Sequence, residues 1–304
     1  MITTFYICIW IFLYSYFWYP VVIWLLGRFF YLPHESDTNY TPFVSIIVPT
    51  KNEEYTIAKK IDNCLSLDYP KDKIEILIVD SSSDDNTGDI VKKYKKHWVS
   101  LVVVPHKWKA YAMKQAIDKH AKGEIIISTD ANAYFKKDVI TKIVQHFHDD
   151  TVWWVSGAMV QLDESNTVES EWSGLYWQME KFLRIQESRF HSTISMNGEI
   201  TCFKKNIVKW KKWYFKWDPD DFDLSLFIIQ KWYRIIYEPS AKVWETAPDT
   251  PSDIEKQKTR IIVQTLSAFT HYYKALSVRR YGFILFSHKL LALMSPIFLL
   301  GIYI

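Results

Sequence analysis

The first half of the chain alternates between short apolar runs and segments with helical periodicity. The apolar runs are rich in Ile and Val, as expected for strands that are buried on both faces. They lie at 43–48, 74–79, 101–104 and 123–130. The segments between them carry apolar residues at helical spacing and lie at 53–67, 89–96, 110–120 and 138–147. Strands separated by helices of this length indicate βαβ units, so the sequence predicts an α/β fold with a mostly parallel central sheet.

The second half of the chain has a less regular pattern. It predicts a long aromatic helix over 169–187, a short strand at 200–203, and helices over 221–232 and 252–274. No internal repeat or low-complexity linker separates these elements from the first half. We therefore expect one large domain with apolar appendages.

The N-terminal segment is nearly uncharged from Phe5 until Arg28. About 22 to 25 apolar residues are enough to span ~30 Å of hydrocarbon. The segment has neither the basic start nor the small-residue cleavage site of a signal peptide, so we expect a retained transmembrane anchor over 1–31 with a kink at Pro20. Because Arg28 follows the apolar stretch, the positive-inside rule places the following domain in the cytoplasm.

A second apolar stretch lies at 280–304 and is interrupted by His288 and Lys289. It is expected to form an interfacial or transmembrane helix. A buried amphipathic helix is the alternative. The chain stops at Ile304 without a polar flank, which is expected either for a helix that ends at the membrane face or for a truncated version of a longer protein.

Composition narrows the function classes. The chain of 304 residues has 49% apolar and 23% charged residues, which excludes disorder and complete membrane embedding. A net charge of +3 gives no reason to expect a nucleic-acid partner. The three Cys residues lie far apart in the sequence, and a reducing compartment is the simplest interpretation of this spacing. No Gly-x-Gly occurs, and the sequence therefore excludes both the dinucleotide-binding fingerprint and the P-loop.

The predicted strand 123–130 ends in Asp130, and Asn132 follows two residues later. Ligands of parallel α/β sheets bind at the carboxyl ends of strands. An Asp with a second oxygen ligand nearby can hold a hard cation against a diphosphate. Helix capping is the alternative use of Asp130, and both uses are open at this point.

Asp80 comes at the end of the predicted strand 74–79 and begins a polar run over 80–87. This density of donors and acceptors suits the base and ribose of a nucleotide. A turn followed by a helix N-cap is the alternative for 83–87. Lys107 and Lys109 follow the next strand and are candidates to face a diphosphate, with ordinary solvated lysines as the alternative.

A third acidic element, 217–224, contains Asp220 and Asp221. One of these acids could take a proton from an acceptor hydroxyl. A well-formed helix start explains the same residues without any chemistry. Gln257 and Arg260 share a helix face, from which Arg260 could meet phosphate oxygens or form a surface pair.

Six short motifs in this order resemble the family-2 glycosyltransferases, which have the GT-A fold. The motifs are 44–54 with Pro49, Asn52 and Glu53, then Asp80, 108–110, 130–132, 220–226 and 257–260. The stretches 175–180 and 286–289 are similar to the membrane-bound polysaccharide-synthase branch, such as cellulose synthase and poly-N-acetylglucosamine synthase. The resemblance implies a GT-A domain over 42–275, with a nucleotide-sugar half at 42–160 and an acceptor half at 161–275.

The resemblance also implies roles for individual residues. Asp221 is expected to be the catalytic base, and Asp130 and Asn132 to hold Mg²⁺ or Mn²⁺. Glu180 and Asp220 are expected on the acceptor side. The residues expected to bind the donor are Pro49, Asn52, Glu53, Asp80, Lys109, Asp130, Gln257 and Arg260.

Three residues depart from the family pattern. Asn132 replaces a second Asp, so Asn132→Asp is expected to raise metal affinity. Trp108 replaces a Gly that lets the backbone approach phosphates. Ile261 replaces a Trp that helps to form the acceptor platform of the polymerising branch, which leaves processivity open.

The expected function is that of a membrane-anchored inverting glycosyltransferase of the hexosyltransferase type, facing the cytoplasm. Its donor is expected to be a nucleotide-sugar, with UDP-sugars favoured, and its acceptor a saccharide or a lipid-linked molecule. Two alternatives stay open. One is a polyprenyl-phosphate monosaccharide transferase, and the other is a catalytically silent subunit that binds a nucleotide-sugar.

Overall fold

The structure is a computed structural model that describes residues 2–95, 97–105, 109–162, 168–194, 198–207, 221–246 and 251–303. One mixed sheet forms its centre. Its strands are β1 (Val44–Thr50), β2 (Ile74–Asp80), β3 (Val99–Val103), β4 (Ile125–Ser128), β5 (Ala133–Phe135), β6 (Val152–Leu162), β7 (Thr201–Lys204) and β8 (Arg234–Thr246). The order across the sheet is β3-β2-β1-β4-β7-β6-β8-β5.

The first half of the sheet follows the predicted βαβ pattern. Strands β3, β2, β1 and β4 pair in parallel, with helices between them. These helices are α3 (Ile57–Leu65), α4 (Thr87–Lys92) and α5 (Lys109–Lys119), and α6 (Val139–Val144) follows β5. The expected α/β architecture is therefore confirmed for this part of the chain.

Alternate strand residues pack on opposite faces of the sheet. Ile47, Leu77 and Ile126 belong to one apolar core, and Ile46 and Ile78 belong to the other. Residues on the pleat alternate with period two, so strands covered on both faces need continuous apolar runs. Helices cover both faces, which explains why these strands could be recognised from sequence.

Several boundaries in the first half differ from the prediction; among them, β3 begins at Val99 rather than at residue 101, and α4 spans Thr87–Lys92 rather than 89–96. β1 continues through Pro49 to Thr50, because its pairing with β4 ends at Ile47 and a proline is tolerated where a strand has one partner. β4 ends at Ser128, two residues before Asp130. Helix α3 begins at Ile57 rather than at residue 53, because residues 53–56 form a turn in which Glu53 O accepts from the backbone of Ile57.

The second half contains two long strands that the sequence pattern did not reveal. β6 and β8 pair in parallel along most of their lengths, with register shifts between Val152 and Trp154 and between Gly157 and Ala158. β7 joins them to the first half through antiparallel pairing with β4 and β6. β5 then pairs antiparallel with the end of β8. The bulged register broke the alternation on which strand recognition depends.

The helices of the second half are α7 (Val168–Phe190), α8 (Asp221–Gln230) and α9 (Pro251–His271). α7 begins and ends close to the predicted bounds. α8 and α9 end two to three residues earlier than predicted, in keeping with the uncertainty of helix ends.

Two terminal segments are long and apolar enough to cross a membrane, namely Ile2–Phe29 and Arg279–Ile302. Each contains a π-helical stretch between two α-helices. The first has α1 (Ile2–Leu13), the π stretch Tyr14–Trp18 and α2 (Tyr19–Phe29); the second has α10 (Arg279–Ile284), the π stretch Leu285–Leu290 and α11 (Leu291–Tyr303).

A π turn lies directly before Pro20, the residue at which a kink is expected. Tyr19 N–H donates to Tyr14 O, five residues back, immediately before Pro20. Proline cannot donate to a preceding carbonyl, and a widened turn is one way to accommodate this loss.

The N-terminal segment is not uniformly exposed. α1 buries no residue, whereas α2 buries Tyr19, Pro20, Ile23 and Gly27 against the rest of the chain. A Cβ on Gly27 would lie 3.0 Å from Gln186 O, so the glycine permits the close approach of α2 to α7. The apolar N-terminal segment is therefore docked on the domain along its second half.

Candidate active site

The candidate site lies at the carboxyl ends of β1, β2 and β4. The chain leaves β1 toward β2 and β3 on one side and returns to β4 on the other, so the connections diverge between β1 and β4. In doubly wound sheets this divergence opens a crevice that binds ligands. The residues that follow β1 and β4 are 51–56 and 129–132, and they include several of the predicted donor-binding residues.

Asp130 and Asn132 lie in a tight turn between β4 and β5. Ala133 N–H donates to Asp130 O over 3.3 Å, which closes a four-residue β-turn. Asp130 is the first residue of this turn and Asn132 the third. The turn places both side chains at the sheet edge, so the acid is neither a strand end nor a helix cap.

Lys109 and Asp130 form an ion pair in this crevice. Lys109 Nζ donates to Asp130 Oδ1 over 2.5 Å. Lys109 is the first residue of α5, and 36% of the Asp130 side chain is exposed. Two predicted donor-binding residues, 21 positions apart in sequence, are thus brought together.

Glu245 is a neighbour of Asn132 that the sequence did not predict. Asn132 Nδ2 donates to Glu245 Oε1 over 3.2 Å. The antiparallel register that pairs Ala133 with Glu245 places the two side chains side by side. A carboxylate can only accept from an amide, so this contact turns the Asn132 Oδ1 away from Glu245.

Glu245 is hydrogen-bonded in turn to Glu199, which lies in the loop before β7. Burial and the neighbouring Glu245 raise the pKa of Glu199. Burial also raises the pKa of Glu245, and the charge of Asp130 adds to this rise. Two adjacent carboxyls cannot both ionise easily, so the pair holds a proton between them more readily than isolated glutamates.

The predicted nucleoside-binding residues Asn52 and Glu53 belong to two interlocked loops. Asn52 N–H donates to Ser83 Oγ over 2.9 Å, and Asp84 N–H donates to Asn52 Oδ1 over 3.0 Å. Glu53 N–H donates to Thr87 Oγ1 over 2.8 Å. The loop after β1 is therefore fixed to the loop after β2.

Backbone strain accompanies this interlocking. Asn52 and Ser82 have φ angles of 57° and 56°, in the left-handed region that non-glycine residues seldom adopt. Such residues persist where surrounding bonds determine the conformation, and they concentrate at binding sites.

Asp80 lies buried at the end of β2. It accepts from the backbone N–H of Ser83 and from Ser83 Oγ, and it therefore stabilises the turn that begins the polar run. Pro49 lies one register position before the Thr50–Asp80 pair of β1 and β2. Both residues thus border the crevice from the β1–β2 side.

Other predicted residues fall partly or wholly outside the described part of the chain. Asp220, Lys107 and Trp108 lie outside the described residues. Asp221 is the first residue of α8, and Gln257, Arg260 and Ile261 lie in α9, but only their backbone positions are described. Their roles stay predictions.

Glu180 lies on α7, where it contacts the second terminal segment. His288 bridges two glutamates of α7, with Nε2 3.3 Å from Glu180 Oε1 and Nδ1 2.6 Å from Glu187 Oε1. Tyr19 OH also donates to Glu187 Oε1, over 2.8 Å. We call Tyr19, Glu180, Glu187 and His288 the junction cluster, because it joins α7 to both terminal segments.

The charges of the junction cluster perturb Glu180. Burial by itself would raise the pKa of Glu180, but the hydrogen bond and charge of His288 and the charge of Arg184 lower it to about 2. Glu180 therefore stays ionised at neutral pH, beside the apolar terminal segments.

The β-turn offers oxygen ligands of the kind that Mg²⁺ and Mn²⁺ prefer, a carboxylate from Asp130 and an amide oxygen from Asn132. This donor set fits a hard divalent cation. Within the described ranges, no three His, Cys, Asp or Glu side chains are grouped as a complete metal site.

The chain is similar to known glycosyltransferases over most of its length. The model of the family described as "Glycosyl transferase family 2" matches residues 45–209. Poly-beta-1,6-N-acetyl-D-glucosamine synthase of Staphylococcus aureus is 26% identical over 260 residues, which cover 80% of this chain and 62% of that protein. The Staphylococcus epidermidis synthase is 25% identical over 265 residues, with the same coverage. This chain thus spans less than two thirds of the length of these relatives.

Solved structures share the fold. The mannosyltransferase PcManGT from Pyrobaculum calidifontis, in complex with GDP-Man and Mn²⁺, superimposes with a TM-score of 0.79 at 26% identity, over 99% of this chain and 85% of that one. Staphylococcus aureus TarS 1–349 in complex with UDP-GlcNAc gives 0.51 at 20% identity, over 77% of this chain and 70% of that one. The expected GT-A fold is confirmed.

Proposed function

Because the chain belongs to glycosyl transferase family 2 and is a glycosyltransferase, we propose that it transfers a sugar from a nucleotide-sugar to an acceptor hydroxyl with inversion at the anomeric carbon. The observation that carries the proposal is the β-turn 130–133, which presents Asp130 beside Lys109 and Asn132 in the crevice between β1 and β4.

The donor binds with its diphosphate at this turn. Asp130 and Asn132 hold a divalent cation, Mg²⁺ or Mn²⁺, which when bound neutralises the charge that develops on the leaving diphosphate. Lys109 adds a positive charge at the same place. Arg260 and Gln257 contribute from α9. The nucleoside lies against the interlocked loops that contain Asn52, Glu53 and Asp80.

Asp221 acts as the general base. Its carboxylate takes the proton from the acceptor hydroxyl, whose oxygen attacks the anomeric carbon while the bond to the diphosphate breaks on the opposite face. Asp220, which precedes it in the sequence, is proposed to contribute to acceptor binding. The place of Asp221 in the 220–226 motif, at the start of α8, supports its role as the base.

The donor is proposed to be a UDP-sugar. TarS 1–349 was solved with UDP-GlcNAc, and the synthases of Staphylococcus aureus and Staphylococcus epidermidis are named for a polymer of N-acetyl-D-glucosamine. PcManGT was solved with GDP-Man, so GDP-mannose is the donor to test against it.

The enzyme is proposed to work at a membrane with its catalytic domain in the cytoplasm. Ile2–Phe29 and Arg279–Ile302 support the attachment, and the position of Arg28 in the last turn of the first segment supports the orientation. The acceptor is a saccharide or a lipid-linked molecule.

A polyprenyl-phosphate acceptor is a second candidate, which one observation favours. Glu180, predicted on the acceptor side, hydrogen-bonds His288 of the second terminal segment. The predicted acceptor path thus lies beside the apolar segments, where a lipid acceptor could reach it.

The test is a donor screen of the full chain in detergent with UDP-GlcNAc, UDP-glucose and GDP-mannose, each with Mg²⁺ or Mn²⁺, followed by mass analysis of products. Asp221→Asn is expected to abolish transfer and leave UDP binding near normal. Retained turnover in this variant would refute the assignment of the base. UDP binding without turnover of any donor by the unmodified chain would instead support the silent-subunit alternative.

A further inference from the structure

Lys60 is a buried cation beneath the β-turn that carries Asp130 and Asn132. Its side chain is 0% exposed, although it projects from the amphipathic helix α3. Nζ donates to Thr129 Oγ1 over 2.9 Å and also to the backbone oxygen of Ala133. Its two hydrogen-bond partners therefore lie at the two ends of the turn.

The same helix holds the following strand. Asn63 Nδ2 donates to Phe135 O over 2.9 Å, and Phe135 N–H donates to Asn63 Oδ1 over 2.7 Å. The Lys60 ammonium also lies 4.1 Å from the centre of the Phe135 ring. Lys60 and Asn63 thus fix the segment 129–135 from below, one helical turn apart.

Stability alone does not explain a charge at this position. Its hydrogen bonds go to neutral oxygens, and a buried charge without a paired acid carries a large desolvation cost. Burial lowers the pKa of Lys60 to about 8, so the ammonium is still mostly charged at neutral pH. An apolar residue of similar length would fill the same space without this cost.

We propose that Lys60 is a positioning residue that fixes the Asp130–Asn132 turn in the geometry needed to hold the divalent cation. This inference rests on the proposed function for the identity of the cation site. The ammonium hydrogen-bonds both Thr129 and Ala133. It therefore sets the distance between the two residues that flank the proposed ligands Asp130 and Asn132.

The test compares Lys60→Met with Lys59→Met in the full chain. Lys59 is the adjacent residue, but it is exposed and its ammonium lies over the Tyr134 ring at 4.5 Å. Hydrogen–deuterium exchange reports on the turn without any ligand, and the electron paramagnetic resonance signal of free Mn²⁺ reports on the cation. Transfer is then measured as a function of Mn²⁺ concentration.

Lys60→Met is expected to speed exchange of the Thr129, Ala133 and Phe135 amides and to weaken Mn²⁺ binding by about 10-fold. This is the lower end of the roughly 10–100-fold that lost partners of metal ligands typically cost, because Lys60 holds the residues that flank the ligands rather than the ligands themselves. The loss of transfer should recover as Mn²⁺ is raised. Lys59→Met should change neither exchange nor affinity.

Thr129→Val removes one acceptor without changing side-chain shape, and it serves as the second variant if Lys60→Met does not fold. It should move both measurements in the same direction by a smaller amount. Unchanged exchange in the variants would overturn the proposal, as would faster exchange with unchanged Mn²⁺ affinity. If the unmodified chain binds no Mn²⁺ but Lys60→Met speeds exchange, cation binding in the proposed function is refuted. The inference that Lys60 fixes the turn is then still supported.

Discussion

The donor crevice and the junction cluster handle charge in opposite ways. In the crevice, Lys109 and Asp130 pair while part of each side chain still meets solvent. In the junction cluster, Glu187 is 0% exposed and accepts from Tyr19 and His288 of two different terminal segments. The difference indicates that the crevice keeps its charges available for a ligand, whereas the junction uses its charges to join helices.

The two regions also differ in how the chain assembles them. The crevice is formed largely by turns that directly follow strands. The junction joins residues 101 to 168 positions apart, from segments that otherwise read as apolar. Removing a junction residue should therefore damage the structure, whereas removing a crevice residue should damage binding.

The largest effect is expected for Glu187→Ala. Removing one partner of a buried ion pair typically costs 3–5 kcal/mol, because the other charge is left without compensation. The measurement is the free energy of unfolding in detergent, with the largely exposed Glu35→Ala as the control. A loss below ~1 kcal/mol would show that the junction does not stabilise the docked helices.

A somewhat smaller effect is expected on acidification. The folded-state pKa of Glu180 is lowered from 4.5 to about 2. Its contribution to the free energy of unfolding is therefore complete above pH 4.5 and is lost as pH falls through about 2. Stability against pH should therefore decline more steeply over this window in the unmodified chain than in Glu180→Gln. Parallel curves for the two proteins would contradict the assignment.

In the crevice, Asn132→Asp should raise Mn²⁺ affinity less than the sequence indicates. The new carboxylate would lie beside Glu245, which already shares a hydrogen bond with Glu199. Adding Glu245→Gln should remove this repulsion and raise affinity about tenfold, or ~1.4 kcal/mol, above Asn132→Asp alone. Mn²⁺ titration of both variants measures the difference, and equal affinities would show that Glu245 does not act on residue 132.

The smallest effect is expected for Asp84→Ala. Its ion pair with Lys51 spans 2.8 Å, but 84% of the Asp84 side chain is exposed, and such pairs contribute about 0–1 kcal/mol. The melting temperature should change little. A loss comparable to that of Glu187→Ala would erase the contrast between the two regions.

The same contrast explains what could be predicted from sequence. Asp80, Asp130 and Lys109 follow strands whose apolar runs are continuous, so their approach to one sheet edge follows from the parallel βαβ pattern alone. Glu245 depends on the antiparallel register of β5 and β8, which no local pattern specifies. The burial of Lys60 could not be predicted for a different reason, because a lysine on an amphipathic helix ordinarily marks the face of the helix that meets solvent.

The terminal segments illustrate the same limit. Their length and hydropathy predicted spans, and both pass that criterion. Their docking could not be predicted, because Tyr19 and His288 are ordinary interfacial residues by sequence. Only the structure shows that both contact a carboxylate of α7.

The paired π turns also constrain how this chain can vary. Tyr14 OH and Ser287 Oγ, one from each π stretch, lie 2.9 Å apart. Each π turn holds one residue more than an α turn and so absorbs an extra residue within a single turn. Deleting one residue from a π stretch would return it to α geometry and leave its outer helix facing nearly the same way, whereas deleting one residue from an α-helical part of either segment would rotate everything beyond it by about 100°. The two segments should therefore tolerate a one-residue change of length at their π stretches but not in their outer helices.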